Sequence, residues 1–311
     1  MGRFPGIPYA EPPVGDLRWK APVETVSWSG IRDATKAGYV CVQRKPGGKS
    51  IAGEEDCLYL NIYRPALRES GLLPALLYFH GGGNQYGAGS DYDSSAIASK
   101  GIVVVTINYR LVAFGFLALP SLDAESGEPS SGNFGLMDQQ AAMRWVHENI
   151  RGFGGNPDEV TVGGESAGGI DISAHLTSPG VADLFDRAFM WSSYCPSVSH
   201  DEAILRSTPV AAALGCSDSA TAAACLRLKS AEDVFNAAAE SLRPEGGTGF
   251  EASPNFGDSL LLLQPSVALT SGHWNRAPVL LGSNHDEAGL PLAAELLFAK
   301  ERLLLASVKS V

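Results

Sequence analysis

A serine flanked by glycines, Gly164-Glu165-Ser166-Ala167-Gly168, is where residue type and spacing in this chain could first do covalent chemistry. The segment before it, Glu159 to Gly164, reads as a strand; the segment after it, Ser166 to about Thr177, reads as a helix stopped before Pro179. Glycines on both sides permit the sharp turn that lifts a serine oxygen clear of a sheet and sets it at a helix N-terminus. With 35 glycines in 311 residues, a chance match somewhere is roughly a one-in-three event, so the weight rests on the strand-turn-helix context.

Two further groups fit the same chemistry. His80-Gly81-Gly82-Gly83 follows an apolar run and would sit in a loop at the end of a strand. Glycines there let backbone N–H groups approach a developing oxyanion, each donor contributing about 2.7 to 4 kcal/mol to acyl transfer. Gly82, Gly83 and Ala167 are the candidate donors. Gly282-Ser283-Asn284-His285-Asp286-Glu287-Ala288-Gly289 follows the last clear strand and supplies a carboxylate downstream of the serine, in the chain order serine, acid, histidine. Glu287 is the first choice for that acid and Asp286 the alternative.

These groups need a sheet to hold them. Ala75 to His80, Ile102 to Asn108, Glu159 to Gly164, Arg187 to Ser192 and Pro278 to Ser283 read as strands. Between the second and third, Leu136, Met143, Val146 and Ile150 form one apolar helical stripe, which Gly152, Gly154 and Gly155 end. Weaker helical patterns cover Glu202 to Leu214, Ala231 to Leu242 and Leu292 to Leu305, while Leu122 to Gly132 and Arg243 to Gly257 read as surface loops. Strands alternating with helices predict an α/β fold, a mostly parallel sheet with helices on both faces.

Composition narrows the function. Lys+Arg number 23 against 34 Asp+Glu, a net charge of −11, which argues against a partner recognised through its phosphate backbone. The longest apolar runs, such as Leu72 to Phe79, fall far short of the ~18 to 20 residues of a membrane helix. Five cysteines include two close pairs, Cys41 with Cys57 and Cys216 with Cys225, and none has Cys-x-x-Cys spacing. Two local disulfides and an oxidising compartment follow, with Cys195 left over.

The chain resembles the type B carboxylesterases, the cholinesterase-like branch of the α/β-hydrolases. The resemblance is carried by Gly6-Ile7-Pro8-Tyr9-Ala10-Glu11-Pro12-Pro13 with Leu17-Arg18-Trp19, by Glu55-Asp56-Cys57-Leu58-Tyr59-Leu60-Asn61, and by the His80 glycine loop with Asn108-Tyr109-Arg110. It continues through Gly132-Asn133-Phe134-Gly135-Leu136-Met137-Asp138-Gln139-Gln140, the stretch from Phe153 and the serine turn. The resemblance implies one incomplete α/β-hydrolase domain over residues 1–311, its C-terminal part missing. It implies hydrolysis of small-molecule carboxylic esters by Ser166 through an acyl-enzyme, with no metal or organic cofactor. Cys41–Cys57 and Cys216–Cys225 fall where that family has disulfides, which implies an extracellular, secreted whole protein, although no signal peptide opens this chain. Two positions depart from the pattern. Asn84 and Gly163 stand where aromatics are common, which predicts a roomier or more polar acyl pocket, and the Cys41 to Cys57 stretch lacks the aromatic that a choline site needs.

A base must follow the acid in this fold, yet 311 − 287 = 24 residues follow Glu287 and none is histidine. The six histidines have other readings. His80 braces the glycine loop, His147 is solvated, His175 is packed in its helix, His200 and His273 lie in loops without visible partners, and His285 is too near the acid. The expectation is a chain truncated at both ends, exposing apolar surface, with its triad histidine elsewhere. A non-catalytic cholinesterase-like binding protein is the alternative, and retention of Ser166 speaks against it. A shorter hydrolase of the hormone-sensitive-lipase type would need a histidine after the acid too.

Overall fold

The strands form because β-branched and aromatic residues bunch in short runs that can be covered on both faces. All five residues of Val103–Ile107 are buried. The computed structural model describes residues 1–45, 50–66, 71–127, 130–241 and 251–287. One seven-stranded sheet runs in the spatial order Gly2–Pro8, Tyr59–Arg64, Val103–Ile107, Leu73–Phe79, Gly155–Glu165, Arg187–Trp191, Val279–Gly282. The last five run parallel to one another, and Gly2–Pro8 and Tyr59–Arg64 add an antiparallel edge.

All five predicted strands are present within a few residues of their expected bounds. The two edge strands were not predicted. Gly2–Pro8 holds two prolines and so reads as a turn, but proline is tolerated on a sheet edge, where its missing N–H costs no ladder bond.

Phe134–Asn149 buries Leu136, Met143 and Val146 as the stripe requires, and a 3₁₀ turn over Ile150–Phe153 ends at Gly154 with φ 88°. The helix also buries Asp138, Gln139 and Gln140. Asp138 is matched by Arg110, whose Nε and Nη2 donate to its two oxygens at 2.8 and 2.7 Å. Ala167–Thr177 packs against Gly155–Glu165 and Arg187–Trp191 and is buried over nearly its whole length. The two weaker helices appear as His200–Ala213 and Ala231–Ser241, while the pattern from Leu292 to Leu305 lies outside the described residues.

The stretch from Leu122 to Gly132 is not simply a surface loop. Pro120–Ser126 is a helix that buries Ser121 and Leu122, started by Pro120 at its first position. In the second expected loop, residues 251–257 include buried Ala252 and Asn255; the rest of it, 243–250, lies outside the described residues.

Cys41 and Cys57 form a disulfide around the small hairpin of Gln43–Arg44 and Ile51–Ala52. Cys216 and Cys225 form a second, between the end of His200–Ala213 and the helix Ala222–Arg227, and Cys195 is a half-buried free thiol. Among the described residues no helix is long and apolar enough to cross a membrane.

Candidate active site

Gly155–Glu165 runs straight into Ser166, which has φ 54° and ψ −121°. That backbone is sparsely populated for a residue with a side chain and is kept only where surroundings fix it. The Ser166 N–H donates to the Trp191 carbonyl at 2.9 Å, and its own carbonyl accepts the first helical bond from Ile170 at 2.9 Å. The flanking glycines are required by contact. A Cβ on Gly164 would lie 2.3 Å from the Gly168 carbonyl carbon, and one on Gly168 would lie 2.1 Å from the Phe79 carbonyl oxygen. The first helical turn therefore rests directly on the ends of two neighbouring strands, one of which leads into the glycine loop.

That loop closes over the serine. A Cβ on Gly81 would lie 3.2 Å from the Ser166 Cβ, so the triplet and the serine are in contact distance. Gly82 has φ 102°, and its carbonyl accepts from Gln85 and Tyr86 at 3.0 and 3.2 Å, closing a tight turn. Ala167 is the first helical residue, and such first-turn N–H groups have no partner within their own helix. Gly81 and Ala167 thus lie directly beside Ser166, and Gly82 and Gly83 continue the loop from Gly81.

Glu287 lies in the turn after Val279–Gly282, exposed, with its carboxylate accepting from the Asn284 N–H. The Ser192 N–H donates to the Gly282 carbonyl at 2.8 Å, which ties this turn to the strand next to the serine. Burial, and then the charge of Glu287, raise the Glu165 carboxyl above the usual range, so Glu287 stands near the residue preceding Ser166. Asp286 instead meets His285 Nδ1 at 2.9 Å. Of the two acids, Glu287 is the one whose charge acts on Glu165.

All six histidines are among the described residues, and none of them hydrogen-bonds to Ser166. His80 is buried, its Nδ1 is 2.8 Å from the Gly81 carbonyl, its ring stacks on Tyr109, and burial pulls its pKa down to about 4. His175 meets Gln139 at 2.6 Å and is pulled to about 3 by burial. His147 is exposed, and His273 meets Ser271 at 3.1 Å. His200 is not in a loop. It opens the helix His200–Ala213 and bridges Asp123 at 2.8 Å and Asn255 at 3.0 Å, and the Asp123 bond raises its pKa.

The strand-elbow-helix and the glycine loop beside it accompany a match that spans the chain, since residues 1–303 fit the Carboxylesterase family. The chain belongs to that family. It is 39% identical over 298 residues to the para-nitrobenzyl esterase of Bacillus subtilis (strain 168), covering 93% of this chain and 60% of that protein. It is 38% identical over 291 residues to the fumonisin B1 esterase of Sphingopyxis macrogoltabida, covering 91% and 53%. A solved PNB esterase superposes with TM-score 0.82 at 38% identity, covering 91% of this chain and 60% of the other. A Geobacillus stearothermophilus carboxylesterase gives 0.83 at 36%, covering 96% and 62%. The chain therefore spans less than two thirds of the length of these carboxylesterases, and its mostly parallel sheet with packed helices is their α/β-hydrolase fold.

Against that family pattern, the two departures resolve differently than expected. The space a side chain at Gly163 would need is filled by the Phe189 ring, 2.1 Å from the ideal Cβ. Asn84 is buried, and its amide bonds inward to Asp171 and Tyr109, so it adds no polar group to an open pocket. Sequence reading did not place Asp171, Gln139 and Tyr109 beside the site. The one signal for Asp171 and Gln139 was a polar residue among the apolar positions of a buried helix, while Tyr109 follows the strand Val103–Ile107. Among the described residues no group of three or more His, Cys, Asp or Glu side chains could hold a metal ion.

Proposed function

We propose that this protein hydrolyses carboxylic esters through a serine acyl-enzyme. The observation that carries the reading is the positive-φ serine at a helix N-terminus with a glycine loop in contact distance. In this reading Ser166 Oγ bonds to the ester carbonyl carbon as its proton passes to the base and on to the departing alcohol, and the carbonyl electron pair moves to oxygen. Gly82, Gly83 and Ala167 N–H groups stabilise that oxyanion, whose collapse expels the alcohol, and water then releases the acid. Glu287 is the acid that orients a base. The base is a histidine that none of the six in this chain supplies, since each has the other surroundings described above. Family membership supports the ester bond as target, and the relatives' names set the substrate class no more narrowly than carboxylic esters. The two disulfides agree with an extracellular or secretory setting for the whole protein.

The test uses a short-chain nitrophenyl ester with and without added imidazole. The chain is expected to turn over slowly, on the order of 10³ to 10⁴ above water, the level that oxyanion binding sustains without a triad. Imidazole should raise the rate, and Ser166→Ala should abolish that imidazole-dependent increase. An equal imidazole-dependent increase in a folded Ser166→Ala variant would overturn the nucleophile. Full enzymatic turnover without imidazole would overturn the missing base.

A further inference from the structure

The glycine loop is held from beneath by a buried chain of polar side chains. Asn84, the residue after the triplet, has φ 55° and is 2% exposed. Its Oδ1 accepts from the Tyr109 hydroxyl at 3.0 Å, and its Nδ2 donates to Asp171 Oδ1 at 3.1 Å. The same Tyr109 hydroxyl reaches the His80 carbonyl at 2.8 Å, so both ends of the loop meet one anchor. Asp171 lies on the helix that Ser166 begins and is fully buried. Its Oδ2 accepts from Gln139 Nε2 at 2.7 Å, and Gln139 Oε1 in turn takes the Nε2–H of His175 at 2.6 Å.

The directions of these bonds are set by one group. Both amides turn their NH₂ toward Asp171 and their oxygen away, so two chains of donors converge on a single carboxylate. Ionised, it accepts from both. Protonated, it brings a hydrogen that needs an acceptor, and both of its neighbours are donors, so one arm must let go.

We propose that Asp171 is a positioning residue that, through Asn84, holds the glycine loop in the shape that keeps its backbone N–H groups beside Ser166. The proposal rests on the reading of that loop as an oxyanion hole. Asp171 hydrogen-bonds to Asn84 and Gln139 and reaches the loop through the Asn84 amide.

Burial raises the Asp171 carboxyl to about 7, so the change of state falls near neutrality. Other titratable groups surround it. Tyr109 and Tyr78 are raised by burial, and Tyr92 stands beside Tyr78. His175 and His80 are pulled to about 3 and about 4. Asp138, on the helix of Gln139, is raised by burial but is engaged by Arg110, and Glu165 faces Gly81.

Hydrogen–deuterium exchange of the full chain tests this without requiring turnover. The amides of Gln85, Tyr86 and Gly87 close the loop and report its state. After correction for intrinsic rates, their protection should fall about tenfold from pH 8 to pH 6, while the strand Val103–Ile107 stays unchanged. Asp171→Asn should give low loop protection at both pH values, and Asn84→Ala should flatten the profile. A native profile flat across this range overturns the proposal, as does a folded Asp171→Asn variant that keeps the native profile. If Asp171→Asn does not fold, the native profile and Asn84→Ala decide. Should the loop respond while Ser166→Ala leaves imidazole-dependent ester hydrolysis unaltered, the positioning stands and the proposed function fails; the reverse pattern sinks the positioning alone.

Discussion

Ser166 holds a backbone conformation that costs on the order of 1 to 3 kcal/mol, and two missing Cβ atoms make it possible. Neither Gly164 nor Gly168 has room for a methyl group, since each faces backbone rather than a flexible side chain. Asp171 carries a second cost at this scale. Its folded carboxyl, raised to about 7, lies above the unfolded value of about 4. Between those values the folded chain holds a proton that the unfolded chain has released. Stability is therefore lost as pH rises from about 4 through about 7 and is level above that. Asp171→Asn removes the titration. Its stability relative to the parent should improve by a few kcal/mol across that window, read as a diverging pair of melting curves from pH 4.5 to 8. Parallel pH dependence in the two proteins would show that Asp171 does not titrate there.

Among the elements, the N-terminal meander is fastened by Arg18. Its Nε donates to Glu55 at 2.6 Å, inside the Cys41–Cys57 loop, and its Nη1 donates to the carbonyls of Leu226 and Lys229 at 3.1 and 2.8 Å, beside the Cys216–Cys225 loop. One buried guanidinium thus links the two cross-linked segments. Replacing Cys41 and Cys57 together by serine should cost about 3 kcal/mol on the loop-entropy account, and replacing Cys216 and Cys225 somewhat less, because that loop is shorter. Urea unfolding of the two double variants checks the order. A larger loss at the shorter loop would mean that strain or residual unfolded structure, rather than loop length, sets the contribution.

For the molecule as a whole, the sheet ends differently on its two sides. The Gly2–Pro8 side has an edge strand broken by prolines. On the other side, among the described residues, Val279–Gly282 is outermost, with Leu280 62% and Leu281 69% exposed and Trp191 on the adjoining strand 45% exposed. An exposed apolar sheet edge is a template for pairing with another chain. The 311-residue chain should therefore self-associate as concentration rises, and Leu281→Lys should reduce that association without lowering the melting temperature. Light scattering on the two proteins decides, and equal association would point to another surface.

The sequence by itself determined the chemistry-bearing turn, the glycine loop, the five parallel strands and the disulfide pairs. Each depends on local rules: glycine where backbone must touch backbone, apolar runs where a strand is covered on both sides, cysteines close enough to meet. The serine family pattern was legible for the same reason, as short motifs in a fixed order. Tertiary structure alone decided the helix in Pro120–Ser126 and the partners of His200. It alone revealed that Asn84, Tyr109, Asp171, Gln139 and His175 form one buried chain. Those residues are separated by up to 91 positions, as 175 − 84 shows, and sit on four different segments. No periodicity or spacing encodes such a contact, because what joins them is the removal of water from between the segments when the sheet and its helices close, which leaves each buried polar atom to find its partner in three dimensions.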